Sequence, residues 1–76
     1  MRNGAYKKFC ELLTGERQKA DLTQAELSAR LKRPQSFVSK YERGERRLDV
    51  VEFGEVARAL GVDPVRVLSA FYKAAT

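Results

Sequence analysis

The chain has no histidine, a single cysteine and only two prolines among 76 residues. Each shortage excludes something. Without histidine, the commonest metal ligand and the commonest general base are both missing. No nucleophile–base pair and no metal-ligand spacing replaces them, so neither an enzyme nor a metal, cofactor or small-molecule site is expected. The lone Cys10 cannot form an internal disulfide. Its place on an apolar helical stripe makes it a structural, inert thiol. No apolar run approaches the roughly 20 residues that span a bilayer. The cationic start MRNGAYKKFCELL is interrupted by Glu11 and lacks a small-residue cleavage site, which excludes a signal peptide. A cytoplasmic location follows as the expectation.

Charge and apolar content are present in quantity. Apolar residues make up 43% of the chain, enough for one small folded domain over residues 1–76 with a marginal core. The net charge is +5, and it is uneven. Residues 1–21 carry +2, residues 22–47 carry +4 and residues 48–76 carry −1. A basic middle of this kind attracts phosphate backbones or acidic surfaces, or simply keeps a face solvated.

Periodicity and capping signals divide the chain into five helices. The first covers about Ala5 to Lys19, with Tyr6, Phe9, Cys10 and Leu13 on one face and Arg17 anomalously on the same stripe. The second opens at Thr23, where Thr23-Gln24-Ala25-Glu26 forms a capping box, and buries Leu27 and Leu31. Lys32-Arg33-Pro34 interrupts it. The third runs from Pro34 to about Glu42, with Val38 and Tyr41 inward, and Gly44 stops it. The fourth is opened by Asp49 with Glu52 three on, buries Phe53, Val56, Ala57 and Leu60, and closes at Gly61. Gly54 inside it costs about 0.5–1 kcal/mol against alanine, which predicts a close approach by a neighbouring backbone. The fifth, about 64–75, starts at Asp63-Pro64 and presents two stripes. Leu68, Tyr72 and Val65 are assigned to the domain's own core.

Two short helices joined by about three residues make a helix-turn-helix, spanning about 23–44, whose later helix enters the DNA major groove. Such a helix buries one narrow stripe and leaves hydrogen-bonding groups outside near its start. In KRPQSFVSK, Gln35 and Ser36 are those groups. Glutamine matches the donor–acceptor pair of adenine, and serine adapts to several edges. Phe37 either touches a thymine methyl or folds back over Tyr41 or Leu31 as a rim residue.

The span from Leu22 to Pro64 resembles the phage-repressor type of helix-turn-helix regulator, the XRE-like family that includes the lambda repressor. TQAELSARL, QSFVSKYERG and ARALGVDP carry the resemblance in one continuous register. It implies an all-α, compact five-helix, lambda-repressor-like domain with the motif at helices two and three. It further implies base reading by Gln35, Ser36, Ser39 and Lys40, with Phe37 in the open role above. Phosphate contacts fall to Thr23, Gln24, Arg43, Arg46 and Arg47. Relatives pair the positions of Arg17 and Glu42, so a largely buried bridge is expected there, consistent with the rule that a cation on an apolar stripe is rarely left unpaired. Two positions depart from the pattern: Lys32 replaces the usual glycine of the turn, and Ser28 replaces the usual alanine between the two helices.

The function implied is a sequence-specific regulator, prokaryotic or phage-encoded, acting at a palindromic operator on double-stranded DNA. One domain reads a half-site, so a homodimer is expected. Val67 and Phe71, on the second stripe of the fifth helix, are assigned to its interface. The alternative is a protein-interaction module of antitoxin or bridging-factor type on the same fold.

Overall fold

Five helices account for residues 3–75, the part of the chain that the computed structural model describes: α1 (Asn3–Lys19), α2 (Gln24–Arg30), α3 (Ser36–Glu42), α4 (Val50–Leu60) and α5 (Pro64–Ala75). No strand occurs among the described residues. The helix starts follow from side-chain caps. Thr23 accepts from the Glu26 N–H while Glu26 accepts from the Thr23 N–H, and Asp49 and Glu52 repeat the same reciprocal box at α4. Each box satisfies amide donors that a first turn leaves without intrahelical partners.

Four of the helix ends share one device. A residue in the left-handed region follows the helix, and the next N–H donates to a carbonyl five positions back. The bonds are Leu22 to Arg17 (3.2 Å), Arg33 to Ser28 (3.0 Å), Glu45 to Lys40 (2.9 Å) and Val62 to Ala57 (3.0 Å). The left-handed residues are Asp21, Lys32, Gly44 and Gly61, at φ of 59°, 56°, 77° and 76°. Only two of the four are glycine. The turn between α2 and α3 is therefore left-handed at Lys32, and Pro34 does not substitute for that geometry.

α1 begins at Asn3, slightly ahead of the expected start. α3 begins at Ser36, with Gln35 as its N-cap. The Pro34 carbonyl accepts from the Phe37 N–H, so the proline forms the entry turn and not the first helical residue. Gly54 does not mark a close approach: a Cβ built there meets nothing within 4 Å, and its side is open.

The core is drawn from all five helices. Leu13, Leu27, Val38, Tyr41, Val56 and Val67 are its most deeply buried large side chains. Phe9 joins α1 to both α4 and α5, with ring centroids 5.5 Å from Phe53 and 5.6 Å from Phe71. The burial of α5 differs from expectation at every assigned residue but Leu68. Val67 is 2% exposed, inside the core, and Phe71 is half-buried against Phe9. Val65 and Tyr72 are the exposed pair, at 71% and 62%. Val67 and Phe71 are thus withdrawn as interface residues, because the monomer already covers them. Leu68 is partly buried, as expected for a core contact.

Candidate nucleic-acid interface

α2 and α3 pack against each other through Leu27 and Val38, both fully buried. Ser28 lies between them, also at 0% exposure, and its hydroxyl donates to the Gln35 carbonyl (3.2 Å) and accepts from the Val38 N–H (3.3 Å). Cys10 of α1 adds an S–H bond to the Tyr41 carbonyl at 3.2 Å. Burial pushes the Cys10 thiol up from its usual range and does the same to the Tyr41 hydroxyl. Both therefore stay neutral, and the thiol acts as a packing group.

The C-terminal end of α3 is tied down by charge. Arg17 Nε and Nη2 form a fork on Glu42, at 2.8 Å to Oε2 and 3.2 Å to Oε1. Their side chains are 13% and 6% exposed. Arg17 Nη1 also donates to the Leu22 carbonyl at 2.8 Å. Hydrogen bonding to Glu42 raises the Arg17 pKa further, so the guanidinium never loses its charge. Gln24 completes the cluster by donating its amide to Glu42 Oε1 at 2.8 Å. An amide nitrogen carries two hydrogens, and the second is available to an outside acceptor.

With α3 held in this way, its outer surface consists of Gln35, Ser36 and Lys40, all exposed. Gln35 makes no side-chain cap bond. Thr23, Gln24, Gln35, Ser36 and Ser39 converge with Ala25 around an open cleft of about 470 Å³. The Ser39 hydroxyl is already engaged, accepting from Arg43 Nη1 at 2.7 Å. Thr23 uses its oxygen as the cap acceptor for Glu26, which leaves its O–H as a donor.

Phe37 is not on this surface. It is 6% exposed and packs edge-on against Tyr41 at 5.6 Å. The guanidinium groups of Arg33 and Arg46 lie 4.5 and 5.0 Å from its ring centroid. The rim alternative holds, and Phe37 is removed from the base-reading set: the two cations and Tyr41 cover the ring.

The segment after α3 is less free than its sequence implies. Arg46 forks on Glu52 at 2.7 and 3.0 Å. That pairing, aided by the Asp49 N–H, holds the Glu52 carboxyl down at about 2. Arg43 forks on Glu45 at 2.9 and 3.1 Å, in solvent, and lowers the Glu45 pKa. Arg47 is exposed and stacks over Tyr6 at 4.3 Å. From sequence alone Arg33 marks only the break between α2 and α3. Here it bridges Glu52 (3.5 Å) and Glu55 (3.6 Å) of α4. The spacing of Glu52 and Glu55, one helical turn apart, is visible in the sequence. Their cation is not, because it comes from a turn nineteen residues away.

A model of the helix-turn-helix family matches residues 16–67, most of the chain and all of the α2–α3 unit. A solved XRE-family like protein from Pseudomonas syringae pv. tomato is 49% identical, with a TM-score of 0.90, over 97% of this chain and 90% of that one. The chain belongs to the XRE-like helix-turn-helix family. Two solved forms of the restriction-modification controller protein C.Esp1396I share the family fold. One is a point mutant, at 22% identity over 96% of this chain and 92% of its own. The other is wild type, at 19% over 95% of each, and both have TM-scores of 0.84. No curated protein sequence matches. Membership in this family makes the chain a DNA-binding transcription regulator and not an enzyme. Among the described residues, no helix is long and apolar enough to cross a membrane.

Proposed function

We propose that the chain is a sequence-specific regulator that occupies a palindromic operator as a homodimer. One observation carries this reading. α3 is fixed from beneath by Ser28, Leu27 and the Arg17–Glu42–Gln24 cluster, while Gln35, Ser36 and Lys40 stay exposed along one edge. Gln35 and Ser36 read base edges at the start of α3, and Lys40 reads guanine or holds a phosphate one turn later. Ser39, already bound to Arg43, contributes a secondary contact. Thr23 and the second amide hydrogen of Gln24 donate to the backbone phosphate beside the cleft. Arg43, Arg46 and Arg47, beyond the end of α3, supply further cations toward the backbone.

The dimer in this proposal uses the outward stripe of α5, Val65 and Tyr72, seven residues apart and on one helical face. An isologous contact there sets two copies of α3 about 34 Å apart, one turn of B-DNA. The shared fold with a controller protein of a restriction-modification system supports a regulator of this small size.

Selection of bound sites from a random duplex pool tests the reading. A palindromic consensus with half-sites one helical turn apart is expected. On that site Gln35→Ala should lose about 1–3 kcal/mol and relax one base pair per half-site. A pool that yields no consensus would overturn operator recognition.

A further inference from the structure

α2 and α4 cap their own first turns, but α3 does not. Its N-cap, Gln35, has helical dihedrals (φ −55°, ψ −31°) and no side-chain cap bond. The amide that such a cap normally satisfies is the third of the helix, here that of Val38. It donates instead to Ser28 Oγ at 3.3 Å, ten residues back in α2. The same hydroxyl donates to the Gln35 carbonyl at 3.2 Å. A hydroxyl has one hydrogen and two lone pairs, so both bonds coexist. Ser28 is fully buried.

We propose that Ser28 is a specificity-determining positioning residue, which caps the recognition helix from α2 and so frees Gln35 to read DNA. A residue that caps its own helix turns its side chain back onto the backbone. Gln35 is spared this and stays exposed. The two bonds through one buried oxygen also fix the first turn of α3 in rotation and height against α2. That turn carries both Gln35 and Ser36. Lys40 lies one turn further on, nearer the Arg17–Glu42 tie that anchors the other end of α3 directly. The inference rests on the DNA-reading function proposed above.

Ser28→Ala tests it, measured by duplex binding on the selected site, on single-base variants of that site and on random duplex. Amide hydrogen exchange at Val38 is followed in parallel. The selected-to-random affinity ratio should fall about 5–30-fold, the factor that one or two kcal/mol represents. Discrimination should relax at the base pairs assigned to Gln35 and Ser36 and persist at the one assigned to Lys40. Affinity for random duplex should hold within about twofold, since the phosphate-facing cations are untouched. Val38 exchange should accelerate while that of Val56, in the α4 core, should not. Where Ser28→Ala fails to fold, Ser28→Cys keeps the side-chain shape with a somewhat larger atom, weakens both bonds and is read by the same criteria. An unchanged ratio, or a loss spread evenly over all base pairs, would overturn the positioning role and leave Ser28 a packing residue. A wild-type protein that discriminates no site overturns the operator reading itself, and the positioning role with it. In that event the Val38 exchange difference still decides whether the cap exists.

Discussion

Arg17→Met removes a guanidinium and keeps an unbranched apolar stem of similar reach on the same stripe of α1. Three hydrogen bonds disappear: two to Glu42 and one to the Leu22 carbonyl. Glu42 keeps only the Gln24 amide, and its carboxylate is 6% exposed, too little for water to replace the lost fork. Breaking one partner of a buried pair costs about 3–5 kcal/mol. Arg17 retains 13% exposure, and methionine recovers apolar contact, which puts the loss near the lower end, at about 3 kcal/mol. Each kcal/mol shifts the melting temperature of a domain this size by about 4–8 °C, so the drop should be about 12–24 °C. Thermal melting followed by far-ultraviolet circular dichroism at pH 7 measures it.

A double variant separates the bridge from packing. In Arg17→Met with Glu42→Leu, no charge is left stranded, and replacing both members of a buried pair by apolar residues is often nearly neutral. Most of the lost melting temperature should therefore return. A single variant that melts within about 4 °C of wild type, equivalent to less than about 1 kcal/mol, would refute the reasoning. So would a double variant no more stable than the single one.

Lys32→Gly should raise the melting temperature by a few degrees. The left-handed region costs a non-glycine residue about 1–2 kcal/mol, and the added unfolded-state entropy of glycine offsets part of the gain; any clear drop in melting temperature counts against strain at Lys32. For acid stability, the Glu52 carboxyl is held at about 2, below its unfolded value of about 4.3. The native state therefore binds fewer protons, and this contribution is complete above about pH 4.3 and is lost as pH falls toward 2; Glu52→Gln should flatten that limb of a melting-temperature profile. On α5, Val67→Ala should destabilise the monomer by about 2 kcal/mol through the core cavity it leaves. Tyr72→Glu should instead leave the monomer's melt unchanged and shift sedimentation from dimer to monomer. Arg46→Ala should weaken binding to all duplexes alike and reduce the slope of log K against log salt by about one; a site-dependent loss would place Arg46 among the base readers.

Local chemistry was the part most legible in the sequence. The Thr23 and Asp49 boxes and the stops at Gly44 and Gly61 depend on residues within a few positions of one another, and all four stand in the structure. The left-handed turns at Asp21 and Lys32 use the same geometry without the glycine that advertises it. Periodicity reveals that α5 has two stripes, but it carries no information on which is buried, and the assignment of Val67 and Phe71 to an interface fails for that reason. The ranking is decided by Phe9, more than sixty residues earlier, which takes Phe71 as its partner. Ser28 was visible as a small residue between helices, but its hydroxyl gained a role only because α3 lacks a cap of its own. Phe37 was ambiguous for the same kind of reason. A phenyl ring near the start of α3 reads equally as a base contact or a rim, until Arg33 and Arg46 are seen on it.

The basic middle of the chain also reads differently once its partners are known. Arg30 donates to the Ala59 carbonyl, and Arg33, Arg43 and Arg46 sit on carboxylates, so a charge count overstates the free positive surface. Whether an arginine can turn from its carboxylate to a DNA phosphate depends on what the carboxylate would be left with. Glu45 is 55% exposed and would return to water when Arg43 leaves. Exposed pairs of that kind are worth only about 0–1 kcal/mol. Glu52 is less exposed, but it keeps Arg33 and the Asp49 N–H when Arg46 leaves. Glu42 would keep a single amide bond in a nearly dry site. The same residue type therefore serves two ends. On the proposed DNA-reading function, Arg43 exchanges its carboxylate for a phosphate at little cost to the fold, whereas Arg46 does so only by leaving the Phe37 ring that it covers. Arg17 cannot do so, because its loss would strand Glu42 in a nearly dry site, and its fork holds the C-terminal end of α3 in place.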